Sequence, residues 1–344
     1  MSHEDTAITT LPTYFEARSV FDPLLSAAQL LGLLQGAQRS GLLAAVRTPA
    51  SPTQIAAVTG INESRVLDIC RALDAHEILI EREGRYRLAD PWLVLTAPDS
   101  FKPFPDLVDF ALTQMKITAN VEAGAEDYWT LAPSDRLVMA KGFAIDPTSS
   151  QAPAIAEAMS QEVHNILVAG GHCLELGCGV SGMLLSRLCA YPQLTGVGVD
   201  RAQDLLDFAQ QQAQELGVSE RVQFFAGDVT AFHAPAQFDV VFWSQPFFPQ
   251  ARRVGALRVA FESLKPGGIL NARLLPWEPT VLTDDLRSEA GRAYALMQVM
   301  TGSWGIAPVA TETLIQEIAE AGFADVRLVV TSPARRDIVA RRPN

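Results

Sequence analysis

The chain has 344 residues, of which 48% are hydrophobic and 19% are charged, so it can bury a sizeable core and is not intrinsically disordered. Its 27 Lys and Arg against 39 Asp and Glu give a net charge of −12, which argues against a nucleic acid or an anionic membrane surface as partner. The length predicts about two domains.

The N-terminus carries early acidic residues and no continuous apolar stretch, which argues against a secretory signal peptide. No run of about 18 apolar residues occurs, so we expect no transmembrane helix. The four cysteines form no CxxC pair, and no His cluster lies beside them. We therefore expect no disulfide framework, no metal site and a reducing, cytoplasmic location.

The first third of the chain predicts helices followed by a hairpin. Residues 24–46 have apolar residues at helical spacing, and Gly41 can end this first helix. The next elements are a short helix at 53–59, a turn at Gly60, a helix at 62–76 with Asn62 as N-cap, and a hairpin that turns at Glu83-Gly84. This order is typical of a winged helix-turn-helix domain, which we assign to residues 1–100.

Two functions are open for this domain, DNA binding and dimerisation. A DNA-recognition helix needs positive side chains for phosphates, and the second helix has only Arg65 and Arg71. The acidic residues of this segment outnumber them: Glu63, Asp68, Asp74 and Glu77. We therefore favour a dimerisation domain and a homodimer, while a ligand-sensing regulator remains the alternative.

A Pro-rich segment at 98–108 marks the exit from this domain. Residues 101–165 are predicted to form a helical linker that contributes to a substrate pocket. Most of its large side chains would pack between helices, and Phe143 is the one that we assign to the pocket.

From residue 166 to 344 the pattern alternates between strands and helices. The predicted strands are 172–176, 194–199, 222–226, 238–243 and 269–275, and the helices between them include 183–190, 202–216 and 253–264. Such alternation predicts a parallel, doubly wound α/β sheet. Ligands of these sheets bind outside the carboxyl ends of the strands.

The turn after the first strand fits two cofactors. Gly177, Gly179 and Gly182 match GxGxxG, and Asp200 lies at the distance expected for binding ribose hydroxyls, which would suit NAD in an oxidoreductase. The flanking residues favour a different cofactor. Glu175 lies two residues before the first glycine, and Gly227-Asp228 ends the third strand.

The segments LELGCGVSG, GVGVD, FFAGDV, FDVVFW and SLKPGGIL occur in order and with fitting spacing. In these segments the chain resembles the class I S-adenosylmethionine-dependent methyltransferases. With the winged-helix domain, residues 20–340 resemble the small-molecule methyltransferases of the plant O-methyltransferase type and their bacterial natural-product relatives. The resemblance implies a Rossmann-like methyltransferase sheet behind a mostly helical N-terminal domain, with S-adenosylmethionine as cofactor and S-adenosylhomocysteine as product.

The resemblance assigns roles to the residues at the strand ends. The glycines at 177 and 179 allow close approach of the cofactor, and Glu175 accepts a hydrogen bond from its methionyl ammonium. Asp200 binds both ribose hydroxyls, and Asp228 accepts from the adenine amino group. The other residues assigned to cofactor binding are Arg201, Gly227, Val229 and Trp243. Ser181 stands where the family often has a third glycine.

The usual catalytic base is missing. Plant-type enzymes have a His-Asp pair after the fourth strand, and here Pro246 and Phe247 occupy that place. Gln245 comes next to it, but an amide is no base, so we assign Gln245 to orienting the acceptor. His233 is the alternative base, although we favour an ordinary loop role for it.

A flat aromatic or polyketide-like acceptor is expected, because the candidate pocket is apolar and aromatic. Its assigned residues are Phe143, Phe247, Tyr294, Met297 and Trp304, with Trp243 and Phe248 as further walls and Glu278 or Asp284 as polar groups. Methyl transfer to O, N or C by proximity is the favoured reaction. A decarboxylation, hydroxylation or cyclisation on the same fold is the alternative.

Overall fold

The computed structural model describes residues 13–122, 124, 127–152, 154, 159–332 and 335–344. The chain divides into two compact units, Met1–Thr96 and Ala97–Asn344. The first unit ends close to the boundary predicted at residue 100. The helices assigned to a linker lie in the same compact unit as the sheet.

The first unit consists of short helices and one hairpin. In chain order its elements are α1 (Tyr14–Arg18), α2 (Asp22–Arg39), α3 (Leu42–Ala45), α4 (Pro52–Thr59), α5 (Glu63–Ala75), β1 (Leu79–Arg82), β2 (Arg85–Leu88) and α6 (Asp90–Leu95). Gly60 ends α4 in the left-handed region at φ 73°, and the Asn62 side chain caps α5, as the sequence predicts. The hairpin turns at Glu83-Gly84, also as predicted. In this first unit the helix residues Ile55, Val66 and Leu73 are fully buried.

The second unit begins with helices and continues as an α/β sheet. Its elements are α7 (Phe104–Thr118), α8 (Asp127–Thr130), α9 (Pro133–Phe143), α10 (Gln161–Val168), β3 (His172–Leu176), α11 (Gly182–Ala190), β4 (Thr195–Asp200), α12 (Gln203–Glu215), β5 (Val222–Ala226), β6 (Phe238–Trp243), α13 (Gln250–Ser263), β7 (Leu264–Arg273), α14 (Val281–Asp284), α15 (Glu289–Gly302), α16 (Thr311–Glu320), β8 (Ala324–Ser332) and β9 (Arg335–Arg341).

The sheet has seven strands in the order β5-β4-β3-β6-β7-β9-β8. Strands β3 to β7 are parallel, whereas β9 pairs antiparallel with β7 and β8 pairs antiparallel with β9. The predicted doubly wound α/β fold is confirmed. The chain order reverses at β3, whose neighbours are β4 and β6, so the crevice that binds ligands in such sheets is expected at its carboxyl end.

Side chains alternate between the two faces of the sheet. Leu174, Leu176 and Trp243 belong to the core on one face, and Cys173 and Phe242 belong to the core on the other. Glu175 therefore shares a face with Phe242, which is its register partner on β6. Among the described helices, none is long and apolar enough to cross a membrane.

Gly182 is required by close packing at the start of α11. A Cβ atom at this position would lie 2.2 Å from the Ile145 carbonyl oxygen and 3.1 Å from the Ala144 Cβ. A backbone carbonyl cannot move aside cheaply, so we expect Gly182→Ala to lower the free energy of unfolding by about 1–3 kcal/mol in denaturant titrations.

Gly302→Ala is the matched control, because the nearest atom to its added Cβ would be 3.6 Å away. It should change the free energy of unfolding little. Equal stability of both variants would show that residues 144–145 do not restrict the side chain at position 182.

Candidate active site

The second unit contains a cavity of about 1200 Å³ at the carboxyl ends of β3, β4 and β6. Ligand pockets for one drug-sized molecule are commonly about 300–1,000 Å³, so this cavity has room for two small molecules. Its lining combines the glycine-rich turn and acidic strand ends with a group of aromatic side chains.

The glycine-rich turn after β3 is held in left-handed backbone conformations. Gly177 and Gly179 have φ of 73° and 53°, and the amides of Gly177 and Cys178 donate to the Val199 carbonyl at 2.9 and 3.1 Å. A Cβ at Gly177 would meet the Phe248 ring at 2.7 Å. Ser181 also has a positive φ, 58°, which is uncommon for a residue with a side chain.

Glu175 is buried at the end of β3, only 6% exposed. Burial raises the pKa of its carboxyl to about 7, against the opposing effects of the Arg187 guanidinium and the Leu184 amide. Its Oε2 atom has no hydrogen-bond partner. A buried carboxylate with an unpaired oxygen is costly, and a cationic donor at this point would stabilise it.

Asp200 ends β4 and is fixed by backbone amides. Its Oδ2 accepts from the Gly179 amide at 2.8 Å, and its Oδ1 accepts from the Ala202 amide at 3.0 Å. Burial raises the pKa of Asp200, and these backbone hydrogen bonds oppose that rise. Each of the two Asp200 oxygens can accept a further hydrogen bond, so together they are suited to binding the two hydroxyls of a diol. The neighbouring Arg201 stacks on Trp129 at 4.4 Å.

Asp228 follows β5 and is already well hydrogen-bonded. Its Oδ1 accepts from the Thr230 amide at 2.9 Å and the Thr230 hydroxyl at 2.7 Å, and Arg252 donates to its Oδ2 at 3.2 Å. Burial opposes ionisation, but the bonds from Thr230 and the charge of Arg252 outweigh it and lower the pKa of Asp228. The group is therefore an anion at neutral pH. Its Oδ2, shared only with a half-exposed arginine, is the oxygen open to a ligand.

One residue assigned to the cofactor, Gly227, is not among the residues that line the cavity. Its amide donates to the Asp200 carbonyl at 2.9 Å and so joins the ends of β5 and β4. The structure brings the other assigned residues to the cavity wall: Phe143, Glu175, Gly177, Gly179, Asp200, Arg201, Asp228, Val229, Trp243, Gln245, Phe247, Tyr294, Met297 and Trp304.

Aromatic rings form a second part of the lining. Phe143 lies 4.9 Å from Phe247 and 6.5 Å from Trp304, measured between ring centroids. Tyr128, one of the large side chains of residues 101–165 that were expected to pack between helices, lies 5.1 Å from Trp304 between ring centroids and also lines the cavity. Trp243 is 1% exposed and belongs mainly to the core beneath the sheet.

The segment after β6 holds no acid or base. Gln245 is 4% exposed and begins a short 3₁₀ turn through Phe247. None of the described residues that line the cavity is a histidine, and His233 is an exposed residue before β6. Glu278 does line the cavity, but Thr311 and Arg336 hold it. Although burial opposes ionisation, their hydrogen bonds lower the pKa of Glu278, so it is a weak base.

Sequence reasoning missed a group of charged and amide side chains on the cavity wall. These are Arg187, Asn271, Arg273, Arg335, Arg336 and Asp337. Most lie on β7 and β9, where charged residues read as solvent-exposed. Arg187 could have been noticed, because it interrupts the apolar face of a helix whose other buried members include Leu184 and Leu188.

Comparison with known proteins agrees with this geometry. The family described as methyltransferase domain matches residues 173–268. The chain is 32% identical over 122 residues to the uncharacterised protein YjhP of Escherichia coli, covering 36% of this chain and 49% of that protein. It is 28% identical over 238 residues to the erythromycin 3''-O-methyltransferase of Saccharopolyspora erythraea, covering 65% of this chain and 76% of that protein.

The fold is shared along nearly the whole chain. Human N-acetylserotonin methyltransferase, solved in complex with S-adenosylmethionine, superposes with a TM-score of 0.70 at 14% identity, covering 97% of this chain and 100% of that one. The chain spans about half or less of the first curated relatives that it matches. The predicted resemblance is confirmed: the chain contains a methyltransferase domain and has the fold of S-adenosylmethionine-dependent O-methyltransferases.

The raised pKa of Glu175 predicts a specific dependence of stability on pH. Between the ordinary value of 4.5 and about 7, the folded protein holds a proton that the unfolded chain releases. This contribution to stability is therefore fully present below pH 4.5 and is lost as the pH rises through 7. The loss amounts to at most about 3 kcal/mol.

Glu175→Gln carries a permanently neutral side chain and removes this titration. The free energy of unfolding of the wild type minus that of Glu175→Gln should fall as the pH rises from 4.5 to 8, measured by urea denaturation without ligand. A difference that is constant or rises with pH would show that the folded state does not favour protonated Glu175.

Proposed function

We propose that this protein transfers a methyl group from S-adenosylmethionine to a small aromatic or polyketide-like acceptor. The observation that carries the proposal is the set of three carboxylates at successive strand ends, Glu175, Asp200 and Asp228, on the wall of one partly aromatic cavity. A nucleoside with an amino-acid end needs acceptors for an ammonium, a ribose diol and an adenine amino group, and these three groups supply them in that order along the sheet.

The described residues fit the cofactor chemically. The unpaired Oε2 of Glu175 would accept from the ammonium, and the fixed carboxylate of Asp200 would accept from both ribose hydroxyls. Asp228 and the Val229 amide would bind the adenine edge, while Gly177 and Gly179 leave room for the backbone to approach. S-adenosylmethionine supplies an activated methyl group on a sulfonium, so the protein itself needs no nucleophile.

Positioning would carry most of the catalysis. Phe143, Phe247 and Trp304 form a wall of ring contacts that orders a flat acceptor and excludes water. Gln245 would orient the acceptor by a hydrogen bond, since neither Pro246 nor Phe247 can accept a proton. The acceptor would be an acidic hydroxyl or another group that needs no strong base. The similarity to the erythromycin enzyme supports O-methylation in antibiotic or other secondary metabolism.

The proposal includes a homodimer formed through the first unit. Helices α1 and α2 and the turn between them expose large apolar side chains, with Phe15 81%, Phe21 58% and Leu24 66% accessible. Apolar side chains grouped on adjacent helices in this way mark an interaction surface. We place the enzyme in a reducing, cytoplasmic compartment, in keeping with free thiols at Cys70, Cys173, Cys178 and Cys189.

The cofactor assignment is tested by calorimetry. S-adenosylhomocysteine should bind the wild type, and NADH should bind negligibly. Asp200→Ala should weaken S-adenosylhomocysteine by about 1–3 kcal/mol, because the ribose hydroxyls lose a charged acceptor. Asp207→Ala, at an exposed position on α12, is the control and should bind normally. Tight NADH binding without a response to S-adenosylhomocysteine would refute the assignment.

The catalytic assignment is tested by pH–rate profiles at saturating cofactor. At saturating cofactor the ligand ammonium would keep Glu175 ionised, so the rate should follow the ionisation of the acceptor and show no dependence on a protein group with a pKa near 6–7. Gln245→Ala should lower the rate moderately, by about tenfold, and His233→Ala should not change it. A loss of about 10³-fold in His233→Ala would show that a histidine base acts after all.

Measuring S-adenosylhomocysteine in the reaction separates methyl transfer from the alternative reactions of this fold. Stoichiometric formation of S-adenosylhomocysteine with product is expected. Turnover of the acceptor without S-adenosylhomocysteine would instead indicate decarboxylation, hydroxylation or cyclisation.

The dimer is tested by light scattering at micromolar concentration. The wild type should have twice the mass of one chain, and the double variant Phe21→Glu, Leu24→Glu should be a monomer, because two charges would be buried unpaired at the interface. Val254→Glu, which alters a 73% exposed apolar residue on α13, should remain a dimer. A monomeric wild type would contradict the proposal.

A further inference from the structure

Arg187 is an unusual residue for the interior of α11. Its side chain is 2% exposed, and its guanidinium carbon lies 3.4 Å from the centre of the Phe242 ring. The atoms Nε and Nη1 have no hydrogen-bond partner. Burying a guanidinium with unpaired donors costs several kcal/mol, and a purely apolar residue would pack this helix against the sheet at no such cost.

The neighbouring charged groups do not satisfy this arginine. Asp337 accepts from the Arg335 Nε on one oxygen at 3.0 Å and from the Asn271 side chain on the other at 3.1 Å. Glu175 has the strongest favourable electrostatic influence on Arg187, yet the Glu175 Oε2 atom is itself unpaired. Two opposite charges therefore line the same cavity, and each retains unpaired hydrogen-bonding atoms.

The backbone explains why both groups reach the cavity. Glu175 and Phe242 are register partners on the same face of the sheet, near the carboxyl ends of β3 and β6. Arg187 lies on the helix that begins directly after the glycine-rich turn. Side chains of a helix tilt toward its N-terminus, so Arg187 leans back toward the turn, and it stacks on Phe242.

We propose that Glu175 and Arg187 together bind the zwitterionic end of an α-amino acid, with Glu175 accepting from the ammonium and Arg187 donating to the carboxylate. A zwitterion supplies one cation and one anion, so it would pair both buried groups and leave their total charge unchanged. Burial lowers the pKa of Arg187 to about 10 and raises that of Glu175 to about 7, as expected for two charges that lack close partners.

The proposal rests on the proposed function, because the methionyl end of S-adenosylmethionine is such a zwitterion. An acceptor with a free amino-acid end is the other possible source of the same chemistry. Arg187 would then discriminate ligands by their carboxylate, which the three carboxylates at the strand ends cannot do.

Calorimetry with three nucleosides tests the pair. The probes are S-adenosylhomocysteine, its decarboxylated analogue, which keeps the ammonium, and 5′-methylthioadenosine, which lacks both groups. In the wild type, loss of the carboxylate alone should weaken binding about 10–100-fold. Arg187→Met should weaken the binding of S-adenosylhomocysteine by a similar factor and leave the affinity for 5′-methylthioadenosine unchanged. Arg258→Met, at an exposed site on α13, is the matched control.

The amino-acid acceptor is tested in the complex with S-adenosylhomocysteine, using L-tyrosine against tyramine. If Arg187→Met leaves the affinity for S-adenosylhomocysteine unchanged but removes a preference for L-tyrosine over tyramine, the pair binds the acceptor. The wild-type comparison with the decarboxylated analogue stands even where Arg187→Met fails to fold.

The proposal is overturned if the carboxylate contributes nothing in either ligand, or if Arg187→Met weakens all nucleosides equally. A wild type that binds none of the nucleosides would refute the proposed function, and the comparison of L-tyrosine with tyramine on the unliganded protein would then test the pair.

Discussion

The carboxylate of Glu175 is buried at the carboxyl end of the central strand, and the need to pair this charge governs the site around it. In water the group would ionise freely, but burial raises its pKa to about 7. The Leu184 amide near the start of α11 and the Arg187 guanidinium offset only part of that cost. The protein therefore keeps a destabilising group where a ligand cation can compensate it, which is typical of functional sites.

The surrounding backbone fixes the other two acidic groups relative to Glu175. Amides of the glycine-rich turn donate to Val199 and to the Asp200 carboxylate, and the Gly227 amide donates to the Asp200 carbonyl. The ends of β3, β4 and β5 are thus joined by hydrogen bonds before any ligand binds. Acceptors held in place in this way need no reorganisation on binding, so they favour affinity and orientation.

The sequence predicted the elements whose patterns are local. The strands at 172–176, 222–226 and 238–243 were correct to the residue, because each is a short apolar run bounded by turn or polar residues. The antiparallel pair β8 and β9 was not predicted, since its place beside β7 depends on contacts distant in sequence. Arg187 and Asp337 were missed for the same reason: a charged residue reads as exposed until the fold shows what covers it. Conversely, Gly227 matches a motif yet serves to join two strands.

The central claim is that Glu175 is the charge that a ligand ammonium completes, and proton release tests it most directly. Because burial raises the pKa of Glu175 to about 7, part of the unliganded protein should hold a proton on Glu175 at pH 7, and pairing with an ammonium should expel it. Calorimetric titration with S-adenosylhomocysteine in two buffers of different ionisation enthalpy measures this quantity. We predict net proton release on binding at pH 7 in the wild type and none in Glu175→Gln. Binding that takes up protons, or releases as many in Glu175→Gln as in the wild type, would contradict it.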